Sequence, residues 1–219
     1  MTRNKSEMPR REEFLTAALN RFAKFGYMGT STRDICAEVG LVHSAIYNYF
    51  PSKEAVVLAI EEREMKAMLD GLGAVIEAPG QDARERLTAT VRYVFDRSIV
   101  RRNAWRLMAD MIRSLKPRAR NAVIERRDRF ETMVRNVLVE AVEAGILPPQ
   151  DTRLASLTLF GMAEGMSGWF RKNGPNSMEE VVDHATSFFL NGVGAKAAEM
   201  TKPVEKPVRK KRSKADAAA

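Results

Sequence analysis

One short stretch, GLVHSAIYNYF at residues 40–50, concentrates polar and aromatic side chains that could recognise another molecule. Hydroxyl, amide, imidazole and phenol groups can donate or accept hydrogen bonds, and the rings can pack against a partner. Ala45, Ile46 and Phe50 recur at helical spacing, which predicts a short helix with one buried face. The opposite face would then carry the polar and aromatic tips: His43, Ser44, Tyr47, Asn48 and Tyr49.

The elements that must position this stretch begin with a longer helix at the amino end. Residues 10–25 repeat apolar side chains at helical spacing, with Phe14, Ala18 and Phe22 on the inward face. Gly26 favours a helix end, because glycine adopts the left-handed conformation at low cost. We therefore expect the first helix to end there.

Two short helices follow, joined by a glycine turn. Ser31 with Asp34 three residues later resembles a capping box and predicts a helix start. Gly40 ends that helix, and the second one is predicted over residues 43–50, because Pro51 cannot continue it. A long helix followed by two short helices is the pattern of a tri-helical helix-turn-helix, in which the last helix enters the major groove of DNA.

The rest of the chain predicts long helices separated by proline and glycine. The predicted spans are 53–75, 81–101, 103–115, 118–144, 151–172 and 177–193. No segment alternates with period two over a useful length, so β-sheet is not expected. The predicted fold class is all-α with about nine helices. We expect three regions: a helix-turn-helix DNA-binding domain at 1–55, a ligand-binding and dimerisation domain at 56–195, and a basic disordered tail at 196–219.

Composition bounds the class of protein. With 45% hydrophobic and 29% charged residues, the chain can bury a core, and it has no run near the ~18 apolar residues of a transmembrane helix. A single cysteine, Cys36, excludes an intrachain disulfide and suits a core position, and no signal peptide is evident, so a cytoplasmic location is expected. Much of the net charge of +8 lies in the tail, so a claim of DNA binding must come from particular residues.

Those residues resemble a known family. The run GTSTRDICAEVGLVHSAIYNYFPSKEAV is similar to the N-terminal signature of the TetR/AcrR family of bacterial transcriptional regulators, and the resemblance covers residues 10–57. The matching features are a glycine before a capped helix, Arg-Asp-Ile, a glycine turn, and aliphatic-Tyr-x-x-Phe-x-Ser-Lys-Glu. The resemblance implies a homodimeric repressor that binds a double-stranded DNA operator and responds to a small hydrophobic effector, without cofactor, metal or membrane partner.

The resemblance also implies roles for individual residues. It makes the helix at 43–49 the recognition helix, with Tyr49 able to contact the DNA backbone and Asn48 on the same exposed face. It places these residues near bases: His43, Ser44, Ala45 and Tyr47. It gives phosphate-contacting positions to Thr30, Ser31, Thr32, Arg33 and Lys53. One departure is Val42, where the family often has a hydroxyl cap, and Ser44 is a possible substitute.

The helical body is expected to bind the effector and to dimerise. The resemblance implies a two-fold interface made mainly by the helices at 151–172 and 177–193, and an apolar pocket within the middle helices. Trp169 to Pro175 resembles a branch that includes acyl-CoA-responsive regulators, so Arg171 and Lys172 either meet ligand phosphates or form a solvated helix end. The candidate pocket residues are the aromatic and methionine side chains Phe95, Trp105, Met108, Met111, Phe130, Met133, Met162, Met166 and Trp169.

Two other functions stay open from the residues alone. A metal-dependent helical enzyme is disfavoured, because His43 and His184 are the only histidines and no nucleophile or phosphate-loop motif is present. An architectural DNA-binding protein would rely on the basic tail and ignore small molecules. Deletion of residues 201–219 separates the two DNA-binding hypotheses, because sequence preference that survives it belongs to the helix-turn-helix.

Overall fold

The computed structural model describes residues 7–195, so the predicted basic tail lies outside the described residues. This part of the chain forms eight α-helices and one 3₁₀ helix, which confirms the all-α class and the expected number of helices. The helices are α1 (Glu7–Phe25), α2 (Thr32–Glu38), the 3₁₀ helix (His43–Asn48), α3 (Lys53–Ile76), α4 (Ala83–Val100), α5 (Arg102–Met111), α6 (Pro117–Glu143), α7 (Thr152–Trp169) and α8 (Met178–Gly192).

The second short helix differs in type from the α-helix that was predicted. The Ala45 amide donates to the Val42 carbonyl and the Tyr49 amide to the Ile46 carbonyl, the tighter i to i+3 pattern. Val42 has no side-chain oxygen to cap the first turn, and Pro51 stops the chain from extending it. A helix this short and uncapped gains little from full α-helical bonding.

Two long helices end earlier than their sequence predicts. α5 ends at Met111 rather than at residue 115, because the amide and hydroxyl of Ser114 both donate to the Met111 carbonyl and close a turn. α7 ends at Trp169 rather than at residue 172, because Phe170 adopts an extended conformation, with ψ of 135°, and its side chain is buried. Arg171 and Lys172 therefore lie beyond the helix.

Two hydrophobic cores organise the chain, and α3 contributes to both. The first half of α3 packs with α1, α2 and the 3₁₀ helix, while its second half packs with α4, α6, α7 and α8. α5 lies against α1, and Met108 and Met111 belong to this first core. Because α3 runs unbroken through residues 55 and 56, a movement of the body can reach the first core through one rigid helix.

The local backbone geometry requires glycine at two positions near the amino-terminal core. Gly40 has a φ of +69°, the left-handed conformation that the turn after α2 requires. A Cβ on Gly29 would lie 2.3 Å from the Phe25 carbonyl oxygen, so a side chain cannot be accommodated there without moving the backbone.

Cys36 is buried in the first core, as its sequence context predicts. Its Sγ contacts the His43 carbonyl oxygen at 3.5 Å.

Candidate nucleic-acid interface

The start of α2 is fixed by the predicted capping box. The Ser31 hydroxyl accepts a hydrogen bond from the Asp34 amide, and the Asp34 carboxylate accepts from the Ser31 amide at 2.8 Å. Hydrogen bonds from the Ser31 side chain and backbone lower the pKa of Asp34. Both side chains of the box are thus used to begin the helix, which leaves the exposed Arg33 free to project from its first turn.

Three polar side chains meet where α2 faces the 3₁₀ helix. Thr32 Oγ1 lies 2.9 Å from His43 Nε2, and the Tyr47 hydroxyl lies 3.4 Å from the same nitrogen. The His43 and Tyr47 rings meet edge to face, with centroids 5.4 Å apart. We call these residues the Thr32–His43–Tyr47 cluster. It ties the two short helices together while Tyr47 keeps half of its surface exposed.

The 3₁₀ helix has the two faces that its sequence predicts. Ile46 and Phe50 are buried in the first core, while Ser44 and Asn48 are exposed. Ala45 and Tyr49 are only partly exposed, since both pack against this core, and the Tyr49 ring lies 5.4 Å from Phe14. Tyr49 is therefore less accessible to solvent than the sequence pattern of this helix predicts.

Val42 is an exposed residue that the sequence did not single out as a contact. Its side chain is 72% exposed at the edge of the polar face, and no side-chain hydrogen bond caps the 3₁₀ helix. The suggested substitute cap, Ser44, does not fill that role. An exposed apolar side chain at this position has the chemistry to pack on a thymine methyl group.

Thr30 and Lys53 are placed differently from the other predicted contacts. Thr30 is 1% exposed, and its hydroxyl donates to the Gly26 carbonyl at 3.0 Å. Lys53 Nζ donates to the carbonyls of Tyr27 and Thr30 at 2.9 and 3.0 Å, and it lies 4.0 Å from the centre of the Tyr27 ring. These side chains hold the turn between α1 and α2 against the start of α3. The sequence could not indicate this, because the partners are backbone carbonyls distant along the chain.

The candidate ligand residues are distributed over several places in the body. A cavity of about 330 Å³ lies between α3, α4, α5, α6 and α7, and of the nine candidates Trp105 and Phe130 line it. Phe95 is fully buried in the second core, and Met108 and Met111 in the first. The others line surface grooves: Met133 on α6, and Met162, Met166 and Trp169 between α7 and α8.

The cavity has an apolar interior and a charged opening. Met65, Met68 and Phe130 are nearly inaccessible at its inner end. Arg106 and Glu164 are exposed at its mouth, and Arg106 donates to the carbonyls that end α7. The two methionines of α3 were absent from the predicted list, because they fit the apolar stripe of a core helix equally well.

The α7–α8 face leaves large apolar side chains uncovered. Phe188 is 64% exposed, and Leu154 and Trp169 are 58% exposed. Gly161 and Gly165 have open space where a Cβ would lie, so a neighbouring helix could approach closely. Large exposed apolar side chains grouped on one pair of helices are typical of an interaction site.

Comparison with known proteins matches both the amino-terminal helices and the helical body. Residues 14–60 match the model described as bacterial regulatory proteins, tetR family, and residues 80–193 match tetracyclin repressor-like, C-terminal domain. The HTH-type transcriptional repressor KstR2 of Rhodococcus jostii (strain RHA1) is 28% identical over 194 residues, which cover 85% of this chain and 92% of that protein.

Solved structures share the fold. The TetR family transcriptional regulator PfmR from Thermus thermophilus superposes with a TM-score of 0.73 at 29% identity, covering 81% of this chain and 97% of that one. AibR, solved in complex with isovaleryl coenzyme A and operator DNA, superposes with a TM-score of 0.71 at 20% identity, covering 82% of this chain and 97% of that one.

A helix-turn-helix with an exposed polar face, carried by a helical body, is the architecture of DNA-binding regulators. The chain belongs to the tetR family of bacterial regulatory proteins, which are transcriptional regulators and not enzymes. Among residues 7–195, no helix is both long and apolar enough to cross a membrane.

Proposed function

We propose that this protein is a homodimeric repressor that binds an operator through its 3₁₀ helix and releases it when an apolar effector fills the body cavity. The observation that carries the proposal is the Thr32–His43–Tyr47 cluster. It holds an exposed tyrosine and a histidine in a fixed orientation above a buried apolar face. A fixed and accessible set of hydrogen-bonding groups is what base readout requires.

The remaining contacts divide by chemistry. Ser44, Tyr47 and Asn48 would reach base edges, and Val42 would pack on a thymine methyl group. Arg33 suits a phosphate, because it is exposed beside the amide end of α2. Two subunits would present their 3₁₀ helices to successive major grooves roughly 34 Å apart on a palindromic site.

The effector part of the proposal rests on α3. This helix lines the cavity with Met65 and Met68. Its first residue, Lys53, donates hydrogen bonds to the carbonyls of the α1–α2 turn. An occupant that pushes α3 would therefore move the turn that carries the start of α2. A cavity of about 330 Å³ accepts an apolar chain or ring system, and an acyl-CoA could place its acyl part there. The AibR complex with isovaleryl coenzyme A supports that ligand class.

Replacement of Tyr47 tests the DNA-binding surface. An operator is first obtained by selecting bound duplexes from a random pool with the full chain. Tyr47→Ala is then expected to weaken operator binding by on the order of 10-fold or more, because a base contact and a cluster partner are both lost. Fluorescence anisotropy against the selected and a scrambled duplex measures it.

Tyr47→Phe is the matched control for the hydroxyl. It keeps the ring against His43 and should retain part of the affinity, and both variants should keep the oligomeric state of the unmodified protein in sedimentation. Equal operator affinity for Tyr47→Ala and the unmodified protein would rule out this helix as the reading element.

A further inference from the structure

A second, much smaller pocket lies behind the main cavity. It has a volume of about 20 Å³, and four residues line both spaces: Met65, Met68, Trp105 and Arg127. We call it the inner pocket. Its far wall is formed by Glu61, Glu64, Ala104 and Met108. One water-sized group needs roughly 10–15 Å³ of such space, so the inner pocket has room for one polar atom at the end of a larger molecule.

Glu61 lines this pocket and carries an unsatisfied acceptor. The residue is only 5% exposed on α3, and its Oε2 accepts hydrogen bonds from both Nε and Nη2 of Arg126. Its Oε1 is buried and has no hydrogen-bond partner among the described residues. A buried carboxylate oxygen without a donor is costly, so a donor is expected to occupy the adjoining space.

Arg127 lines the same pocket and has N–H donors without a protein hydrogen-bond partner among the described residues. Its guanidinium lies over the Trp105 ring at 5.5 Å, and within the described part of the chain it makes no hydrogen bond or close ion pair. Burial lowers the pKa of Arg127, and the charges of Glu61 and Glu164 offset this in part. An arginine has five N–H donors, so a group that enters here can accept a hydrogen bond from it.

Glu61 and Arg127 together determine which chemical group of a ligand the inner pocket can accept. A carboxylate would be attracted by Arg127 but repelled by the Glu61 oxygen, and an ammonium group would meet the opposite conflict. A hydroxyl satisfies both, since its oxygen accepts from Arg127 while its hydrogen is donated to Glu61 Oε1. Glu64 does not alter this balance, because its carboxylate is paired with Arg63 and Arg101.

We propose that the inner pocket binds a hydroxyl group at the buried end of the apolar effector, in preference to a carboxylate, an ammonium group or an ether oxygen. The apolar body would fill the main cavity against Met65, Met68 and Phe130. This inference rests on the proposed function, because it names the chemistry of the effector that the main cavity receives.

Four ligands with chains of similar length and different ends test the inference: decanol, its isomer methyl nonyl ether, decanoate and decylammonium. Isothermal titration calorimetry on the full chain is expected to rank decanol first, on the order of tenfold tighter than the ether, because only the alcohol donates to Glu61. In Arg127→Met, decanol binding should fall several-fold and decylammonium should gain relative to decanol, because the repulsion of an ammonium group by Arg127 is removed.

Arg129→Met is the matched control, since Arg129 lies on the same helix but lines an outer groove of α6. It should leave the order of the four ligands unchanged. Decanoate or decylammonium ranking first in the unmodified protein would overturn the inference. Equal binding of decanol and the ether would also overturn it and assign the inner pocket to a trapped water.

The ranking in the unmodified protein decides the matter even if Arg127→Met does not fold. If none of the four ligands binds, the inference and the effector part of the proposed function both fail, while operator binding is judged separately by the Tyr47 variants. If other apolar molecules bind and release the operator but the alcohol has no advantage, only the inference fails.

Discussion

Glu61 is a buried carboxylate at the junction of the two cores, and its burial changes its pKa. Desolvation raises the pKa of Glu61 above its ordinary value of 4.5, and the hydrogen bonds and charge of Arg126 only partly offset this. The carboxylate stays in the core because Arg126 accompanies it. Breaking such a pair leaves a buried charge, so the pair constrains how α3 and α6 can separate.

This shift predicts a pH dependence with a definite sign. Because the folded state has the higher pKa, it binds the proton more tightly, so the contribution of Glu61 to stability is greatest below about pH 4.5 and is lost as the pH rises through the raised pKa. The free energy of unfolding of the unmodified protein, relative to Glu61→Gln, should therefore increase as the pH falls from neutrality toward 4.5.

Urea unfolding of both proteins at a series of pH values measures this difference. Glu62→Gln, at the exposed neighbouring position, controls for the loss of one carboxylate. Parallel pH dependences for the unmodified protein and Glu61→Gln would contradict the assignment of the shift to burial of Glu61.

The packing of α3 on α4 is decided by one glycine. A Cβ on Gly71 would lie 2.3 Å from the Tyr93 hydroxyl and 3.1 Å from the ring carbon that bears it. Tyr93 in turn donates to the Met68 carbonyl at 3.0 Å, which fixes the ring against α3. The two helices can approach this closely only because α3 has no side chain at Gly71.

A matched pair of substitutions on α3 tests this packing. Gly73 lies two residues on and has nothing within 4 Å of an added Cβ, so Gly73→Ala should stabilise the protein by up to about 1 kcal/mol through helix propensity. Gly71→Ala gains the same propensity but must displace the Tyr93 ring, and it should destabilise by about 1–3 kcal/mol. Thermal and urea unfolding measure both, and stabilisation by Gly71→Ala would refute the close contact.

At the scale of the whole molecule, large apolar side chains on α7 and α8 stay exposed among residues 7–195. Phe188, Leu154 and Trp169 lie exposed on α7 and α8, the helices at which the family resemblance implies the subunit interface. Two copies related by a two-fold axis could bury this face in a four-helix interface. The same association would set the spacing of the two 3₁₀ helices on DNA.

Phe188→Glu tests whether the exposed α7–α8 face forms the subunit interface. A buried charge in a helix–helix contact is costly, so the variant should sediment as a monomer and lose most of its operator affinity. Ile124→Glu, which changes an exposed apolar residue on α6, should leave the dimer intact. A Phe188→Glu protein with unchanged mass in solution would place the interface elsewhere.

The sequence by itself determined the helices and which of their faces are buried. Capping at Ser31, the glycine turn at Gly40 and the inward positions of Phe14, Ala18 and Ile46 follow from local spacing, and all are present in the structure. These features depend on residues a few positions apart, where the geometry of the chain is nearly fixed.

Only the tertiary structure decided how side chains from different helices meet. Thr30 and Lys53 brace the α1–α2 turn, and the cavity combines Met65 with Trp105 and Arg127 instead of gathering the nine candidates. The physical reason is that helical spacing predicts which face of its own helix a residue lies on, but not which residue of another helix it contacts. Neighbours depend on the angles and distances at which α3, α5, α6 and α7 pack, and these are set by the whole core at once.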